Sequence, residues 1–131
     1  MSNKTTLLRA FNSHFFDFID SILKIFSDDI NIMTAKNTFE LTKKTNPTII
    51  IKIWYSFVYA PYQSFIDNGD ITFFFEKDYS QDLGNLSNAK EILKIIDSLR
   101  QPIRNMDEEN KAKSMKYIQS LSKISEMYHK A

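Results

Sequence analysis

The segment that most constrains the fold is residues 46–67, NPTIIIKIWYSFVYAPYQSFID, the most apolar stretch of the chain and the one that contains its single Trp, Trp54. Asn is a favoured N-cap and Pro is favoured at the first helical position, so Asn46 and Pro47 predict a helix start. The apolar residues from 49 to 59 would cover most of the circumference of that helix. We therefore predict a buried central helix at about 47–60, with Trp54 among the most buried residues.

A β-strand is the competing interpretation of this segment, because β-branched and aromatic residues dominate positions 48–59. The run is long for a strand, lacks clean alternation and follows a helix-start signal, and these features favour a helix. Pro61 should then kink or end that helix. A short helical segment is expected to resume through Tyr62, Phe65 and Ile66, with Gly69 as its left-handed C-terminal cap.

The same segment is too short and too interrupted to predict a membrane span. Its uncharged run from Ile53 to Ile66 has 14 residues, whereas crossing a bilayer requires about 20. Lys52 precedes the run and Pro61 lies within it. A core helix is therefore the prediction.

Composition favours a single helical domain over residues 1–131. Two Gly and three Pro among 131 residues suit long helices with short connections better than a sandwich or barrel with many turns. The absence of Cys excludes disulfides and thiolate chemistry and fits a reducing compartment. The N-terminal residues lack the long apolar core of a signal peptide. We expect an intracellular protein.

Apolar periodicity predicts the remaining helices at 5–27, 30–45, 71–77, 88–101 and from Asp107 to about Tyr128. The face predicted for the first consists of Phe11, Phe15, Phe18, Ile22 and Ile25. The second is predicted to bury Ile32, Ala35 and Phe39 and to expose Lys36, Glu40, Lys43 and Lys44, with Glu40 and Lys44 paired. The cluster of Ser27, Asp28 and Asp29 is expected to cap the second helix, and Asp70 and Asp107 are expected caps of later helices. Pro102 should end or kink its helix. The predicted fold is an all-α, compact bundle of five to six helices around the central helix.

The sequence offers little chemistry for catalysis. His14 and His129 are its only histidines, and no Gly-rich phosphate loop or hydrolase motif is present. The acidic segment DNGDITFFFEKD does not fit a calcium-binding loop, because Phe occupies ligand positions. We interpret its carboxylates as a solvated rim. We expect no enzyme activity, cofactor or metal, and we expect His14 to be an ordinary helical side chain.

The last third of the chain is basic: residues 86–131 carry nine Lys or Arg against six Asp or Glu, within a net charge of +1. Nucleic-acid binding requires such charges to converge on one surface. The simpler interpretation is the polar side of two amphipathic helices, and no known nucleic-acid-binding motif is present. The alternative function is therefore nucleic-acid binding through the basic surface of residues 90–130, with candidate contacts Lys90, Lys94, Arg100, Arg104, Lys111 and Lys116.

Three consecutive aromatic residues suggest apolar surface beyond what one small core needs. Phe73, Phe74 and Phe75 would cover about 200° of a helix, so a surface helix cannot easily bury all three. A strand is the alternative interpretation of residues 71–77. Together with Tyr62 they form the candidate protein interface. The leading hypothesis is a non-enzymatic protein–protein interaction or structural protein that binds a protein partner or itself.

Three segments support a resemblance: NPTIIIKIWYSFVYAPYQSFIDNGDITFFFEKDYSQDL, IDSLRQPIRNM and KYIQSLSKISEMY. Together they resemble a family of small uncharacterised proteins of large DNA viruses that infect algae and protists, and the resemblance covers most of the chain. It implies a setting in the host cytoplasm or the virion, and a role as a minor virion or viral-factory component. It implies no catalytic residues.

Overall fold

The computed structural model describes the backbone of residues 2–72 and 90–131 and the side chains of residues 3–72 and 95–131. Within these ranges all regular structure is helical, so the all-α prediction is confirmed. The longer helices are α1 (Ser2–Ile25), α2 (Ile30–Thr45), α5 (Lys90–Arg104) and α6 (Glu108–Lys130). Between α2 and α5 lie α3 (Ile49–Ile53), a π-helical segment (Trp54–Tyr59), a 3-10 turn (Ala60–Tyr62) and α4 (Gln63–Asp67). The short helix α3 contacts each of the longer helices.

Trp54 occupies the centre of the core, as predicted. Its side chain is 0% exposed, and the rings of Phe11 and Phe15 meet it edge to face at centroid distances of 6.2 and 5.9 Å. Its indole Nε1–H donates a 3.0 Å hydrogen bond to Oγ of Ser122, which is also buried. A buried indole needs such a partner. One side chain thereby joins α1, the π-helical segment and α6.

The start of the central helix was predicted two residues too early. Asn46 does not begin it: its backbone N–H donates to Thr42 O at 2.7 Å, which makes Asn46 the C-cap of α2. Thr48 is the N-cap residue of α3, and Pro47 lies in the turn between the two helices. Proline commonly follows a helix C-cap because it cannot continue the helix. Pro47 follows the C-cap of α2 in this way.

The helical interpretation of residues 48–59 is confirmed, but the segment is not a continuous α-helix. From Trp54 the hydrogen bonds lengthen to the π pattern, with the N–H of Ala60 donating to Tyr55 O. Pro61 has no N–H to donate and lies in the 3-10 turn that follows. The chain then resumes as α4. At its end Gly69 adopts φ +76°, and bonds from Gly69 N to Ile66 O and Asp70 N to Phe65 O complete a Schellman motif.

The predicted caps are present at the starts of α2 and α6. Oδ1 of Asp29 accepts from the N–H groups of Asn31 and Ile32, and Oδ1 of Asp107 accepts from that of Asn110. The helix containing Pro102 was predicted to end or kink there, but it continues to Arg104. Pro102 lies near the end of the helix, so only the last turn follows it. The backbone N–H of Asn105 donates to the carbonyl oxygen of Gln101 and completes that turn.

The predicted core faces are largely confirmed where side chains are described. Phe11, Phe15, Phe18 and Ile22 of α1 and Ile32, Ala35 and Phe39 of α2 are buried. Ile25 was predicted in the core but is 41% exposed, because it is the last residue of α1, where the chain turns toward α2. Asp70 accepts from Thr72 N, as a cap would. The rest of the predicted helix at 71–77, and the start predicted for the helix at 88–101, lie outside the described residues.

Candidate interaction surface

The predicted aromatic interface is only partly within the described residues. Phe73, Phe74 and Phe75 lie outside them. Tyr62 is half-buried and packs against the core, with its ring centroid 6.4 Å from that of Phe65. Much of the Tyr62 side chain is therefore already used inside the molecule.

The basic residues predicted to contact nucleic acid divide into two groups. Lys90 and Lys94 lie on α5, but their side chains are outside the described set. Arg104 and Lys116 are exposed on α5 and α6. The positions of these four residues do not test nucleic-acid binding, which stays a prediction.

The remaining basic candidates have acidic neighbours on their own helix. Nη1 of Arg100 lies 2.8 Å from Oδ1 of Asp97, and Nζ of Lys111 lies 3.7 Å from Oε1 of Glu108. An ion pair at this spacing on a helix offsets the local positive potential that would attract a phosphate. The surface is accordingly less basic than the count of lysines and arginines suggests.

His14 and Tyr59 are titratable side chains that are partly or fully buried in the fold. His14 is half-buried with its ring 4.9 Å from that of Tyr117. Burial, followed by the carboxylates of Asp67 and Glu126, raises the pKa of Tyr59 to about 12. The Tyr59 hydroxyl donates to Oδ1 of Asp67 at 3.3 Å, which fastens the π-helical segment to the end of α4. Within residues 3–72 and 95–131, no group of three or more acidic or histidine side chains could hold a metal ion.

A membrane-crossing element is likewise absent from the described part of the chain, since none of its helices combines the necessary length and apolar character.

The feature that stands out is an apolar stripe on the solvent side of α2. Ile30 is 75% exposed, Leu41 66% and Met33 48%. Ile30 and Leu41 are eleven residues apart, which is close to three helical turns, so they lie on one face of the helix. Met33 lies one turn after Ile30 on the adjoining edge of that face. We call Ile30, Met33 and Leu41 the outer stripe.

The outer stripe lies opposite the side of α2 that faces the core. Ile32, Ala35 and Phe39 are buried, and at about 100° per residue they lie about 180° around the helix from the outer stripe. The outer side of α2 therefore has three large apolar residues among polar ones such as Thr34 and Asn37, whereas a helix at the surface of a globular protein normally has a mainly polar outer side. Exposed large apolar side chains grouped on one face are a candidate interaction surface.

This surface was not predicted from the sequence, because the solvent side of α2 was assigned from the positions of its charged residues alone. The spacing of Ile30, Met33 and Leu41 was the available signal. It could have been recognised by asking which apolar residues remain after Ile32, Ala35 and Phe39 are assigned to the core.

Charge is arranged asymmetrically along the same helix. Asp28 and Asp29 lie at its start, and Lys43 and Lys44 lie in its last turn. This order also suits the helix dipole. The outer stripe is thus flanked by acidic residues at one end and by basic residues at the other.

No family model matches the chain, and neither the curated proteins nor the solved structures contain a match to it.

Proposed function

We propose that this is a non-enzymatic interaction protein that assembles with a second copy of itself through the outer stripe of α2. The observation that carries the proposal is the second apolar side of α2, with Ile30, Met33 and Leu41 exposed on a helix whose opposite side is already packed. Removing these side chains from water would contribute about 25 cal/mol per Å² of apolar area buried.

A second copy of the chain is a suitable partner, because in one orientation the apolar residues and charges of one α2 complement those of another α2. If two α2 helices pair antiparallel, Ile30 of one copy can lie over Leu41 of the other. The acidic start of one α2, at Asp28 and Asp29, then lies beside the basic last turn of the other, which contains Lys44. The exposed ion pairs would add only a few tenths of a kcal/mol each, but they would fix the direction of pairing.

The parallel arrangement is disfavoured by the same charges. It would place Asp28 and Asp29 of one copy beside the same residues of the other, and Lys44 beside Lys44. Like charges across an interface are repulsive and suppress that mode of association. It would also align the two helix dipoles unfavourably.

The size of the outer stripe indicates a weak dimer. α2 has 16 residues, so its exposed side is about 24 Å long and about 10 Å wide. A stable complex typically buries about 800 Å² per partner, and a single helix side of this length covers less. We therefore expect association at micromolar to millimolar concentration. The resemblance to viral proteins supports a structural role, in which many weak contacts of this kind would add up in a larger assembly.

The proposal is tested by sedimentation velocity over a concentration series from about 10 µM to 1 mM, comparing Met33→Glu with Met127→Glu. The two methionines are matched, since Met33 is 48% and Met127 47% exposed and both lie in helices. Glu at position 33 would place two charges in the dimer interface, whereas position 127 lies on α6.

We expect the wild type and Met127→Glu to dimerise with similar dissociation constants and Met33→Glu to stay monomeric. A wild type that remains monomeric at 1 mM would overturn the proposal. Equal weakening by both substitutions would show that general surface apolarity causes association, and that result would also reject the assigned role of α2.

A further inference from the structure

The outer stripe contains one side chain that is open to oxidation, the thioether of Met33. The chain has five Met and no Cys, so all of its sulfur is thioether sulfur. Met33 is 48% exposed, and an oxidant in solution therefore has access to it in the monomer. Oxidation converts methionine from a flexible apolar side chain into a polar one. Met33 is thus the residue at which the apolar character of the outer stripe can be changed chemically.

The other described methionines differ from Met33 in burial or in position. Met106 and Met115 are each 6% exposed, and Sδ of Met106 accepts a 3.3 Å hydrogen bond from Oγ of Ser114. The core therefore shields both of these thioethers. Met127 is 47% exposed, nearly the same as Met33, but it lies on α6. An oxidant thus has equal access to Met33 and Met127, and only Met33 belongs to the outer stripe.

We propose that Met33 is a reversible oxidation site that controls association through the outer stripe, with a hydroperoxide as the oxidant. This role of Met33 rests on the dimer proposed above. A lone pair of the sulfur attacks one oxygen of hydrogen peroxide, so that an S–O bond forms and the O–O bond breaks. The proton on the transferred oxygen moves to the departing hydroxide, which leaves as water. Sulfur gives two electrons to the peroxide, and the thioether becomes a sulfoxide.

The sulfoxide would oppose association because it places a polar oxygen in an apolar contact. A thioether sulfur is only a weak acceptor, whereas the sulfoxide is polar and binds water in the monomer. Closing the interface removes that water, and a buried acceptor without a donor is unfavourable. Antiparallel pairing of two identical helices is two-fold symmetric, so each dimer would contain the sulfoxides of both copies.

The basic residues of α2 are not placed to bind the new oxygen. Lys36 is the nearest to Met33 in sequence, but its Nζ lies 3.1 Å from Oδ1 of Asp20 and is thereby directed toward α1. The predicted pairing of Glu40 with Lys44 is wrong, since no ion pair joins these two side chains. Lys44 nevertheless lies eleven residues after Met33, about 16 Å further along the helix. Neither lysine therefore replaces the water that the sulfoxide loses.

Association would in turn protect Met33 from the oxidant. The dimer covers Met33 and leaves Met127 exposed, and the fraction of chain in the dimer rises with protein concentration. The ratio of the oxidation rate of Met33 to that of Met127 should therefore fall about two-fold or more across the concentration series used for sedimentation. A ratio that stays constant while the dimer forms would place Met33 outside the interface and would overturn its role.

The test is treatment of the full chain with hydrogen peroxide, followed by sedimentation velocity to measure the dissociation constant of the dimer. Cleavage after Lys and Arg places each methionine on a separate peptide, so mass spectrometry can measure the sulfoxide at every position. The wild type is compared with Met33→Leu and with its matched control, Met127→Leu. Leucine keeps the apolar character and approximate volume of methionine and has no sulfur.

We expect oxidation to raise the dissociation constant of the wild type and of Met127→Leu at least about ten-fold. Met33→Leu should dimerise like the wild type before treatment and should keep its dissociation constant after treatment, although its other methionines remain. Methionine sulfoxide reductases that act on both sulfoxide epimers should restore the dissociation constant of the oxidised wild type.

The oxidation proposal and the dimer proposal can fail separately. An untreated wild type that stays monomeric throughout the concentration series would reject the dimer, and the regulation with it. A dimer whose dissociation constant is unchanged once Met33 is fully oxidised would reject the regulation alone. Equal weakening of Met33→Leu and the wild type by peroxide would also reject it, because the effect would then belong to another residue.

Discussion

Replacing Ser122 by Ala should lower the stability of the protein by removing the partner of the central indole. Trp54 and Ser122 are both buried, and the 3.0 Å bond between Nε1 and Oγ is the hydrogen bond of the indole N–H. In the variant that N–H keeps its desolvation cost and loses its acceptor, which typically amounts to about 1–3 kcal/mol.

Ser120→Ala is the matched control for this substitution. Ser120 is exposed on the same helix, so its replacement changes helix propensity by the same few tenths of a kcal/mol without removing the buried bond. The stability difference between the two variants therefore isolates the hydrogen bond. For 131 residues, the typical unfolding entropy converts about 1–3 kcal/mol into a fall in Tm of roughly 4–11 °C.

The assay is urea unfolding followed by far-UV circular dichroism and by the fluorescence of Trp54, the only Trp. We expect Ser122→Ala to unfold at clearly lower urea than Ser120→Ala, with the two signals coincident in each variant. Equal midpoints for the two variants would refute the central role assigned to this bond.

Two further predictions concern a helix cap and a buried phenol. Asp29→Ala should cost about 1 kcal/mol, because Oδ1 of Asp29 accepts from two N–H groups at the start of α2, whereas Asp28→Ala, compared by the same urea assay, should change stability by less than half as much. Burial and the neighbouring carboxylates raise the pKa of Tyr59 to about 12 from 10, so the unfolded state ionises first and stability should be complete below pH 10 and fall between pH 10 and 12. Tyr59→Phe should show a smaller fall over that interval, and parallel pH profiles for the wild type and the variant would contradict the assignment.

The sequence was sufficient to predict the helices and their buried sides because both depend on local patterns. The four-and-three spacing from Phe11 to Ile22 and the caps Asp29 and Asp107 are physical signals that tertiary contacts reinforce. The π-helical pattern of Trp54–Tyr59 could not be predicted this way. It depends on how the bulky residues between Ile53 and Pro61 fit against α1 and α6, and periodicity does not describe that fit.

The candidate sites were harder to predict than the fold. The aromatic cluster at 73–75 lies outside the described residues and remains a prediction, and two of the six basic candidates have acidic partners on their own helix. The outer stripe was visible in the spacing of Ile30, Met33 and Leu41.

Cross-linking through single introduced cysteines tests the central claim, antiparallel pairing of α2 helices, most directly. The chain has no Cys, so each variant contains one thiol. With Ile30 over Leu41 of the second copy, the two Ile30 positions lie about 16 Å apart along the helix axis, and the two Thr34 positions only about 4.5 Å.

We expect Thr34→Cys to form a cross-linked dimer and Ile30→Cys alone to form none. A mixture of Ile30→Cys with Leu41→Cys should form the mixed dimer, and Met127→Cys on α6 should stay monomeric. Efficient cross-linking of Ile30→Cys to itself would contradict antiparallel pairing, and equal cross-linking of Met127→Cys and Thr34→Cys would contradict association through α2.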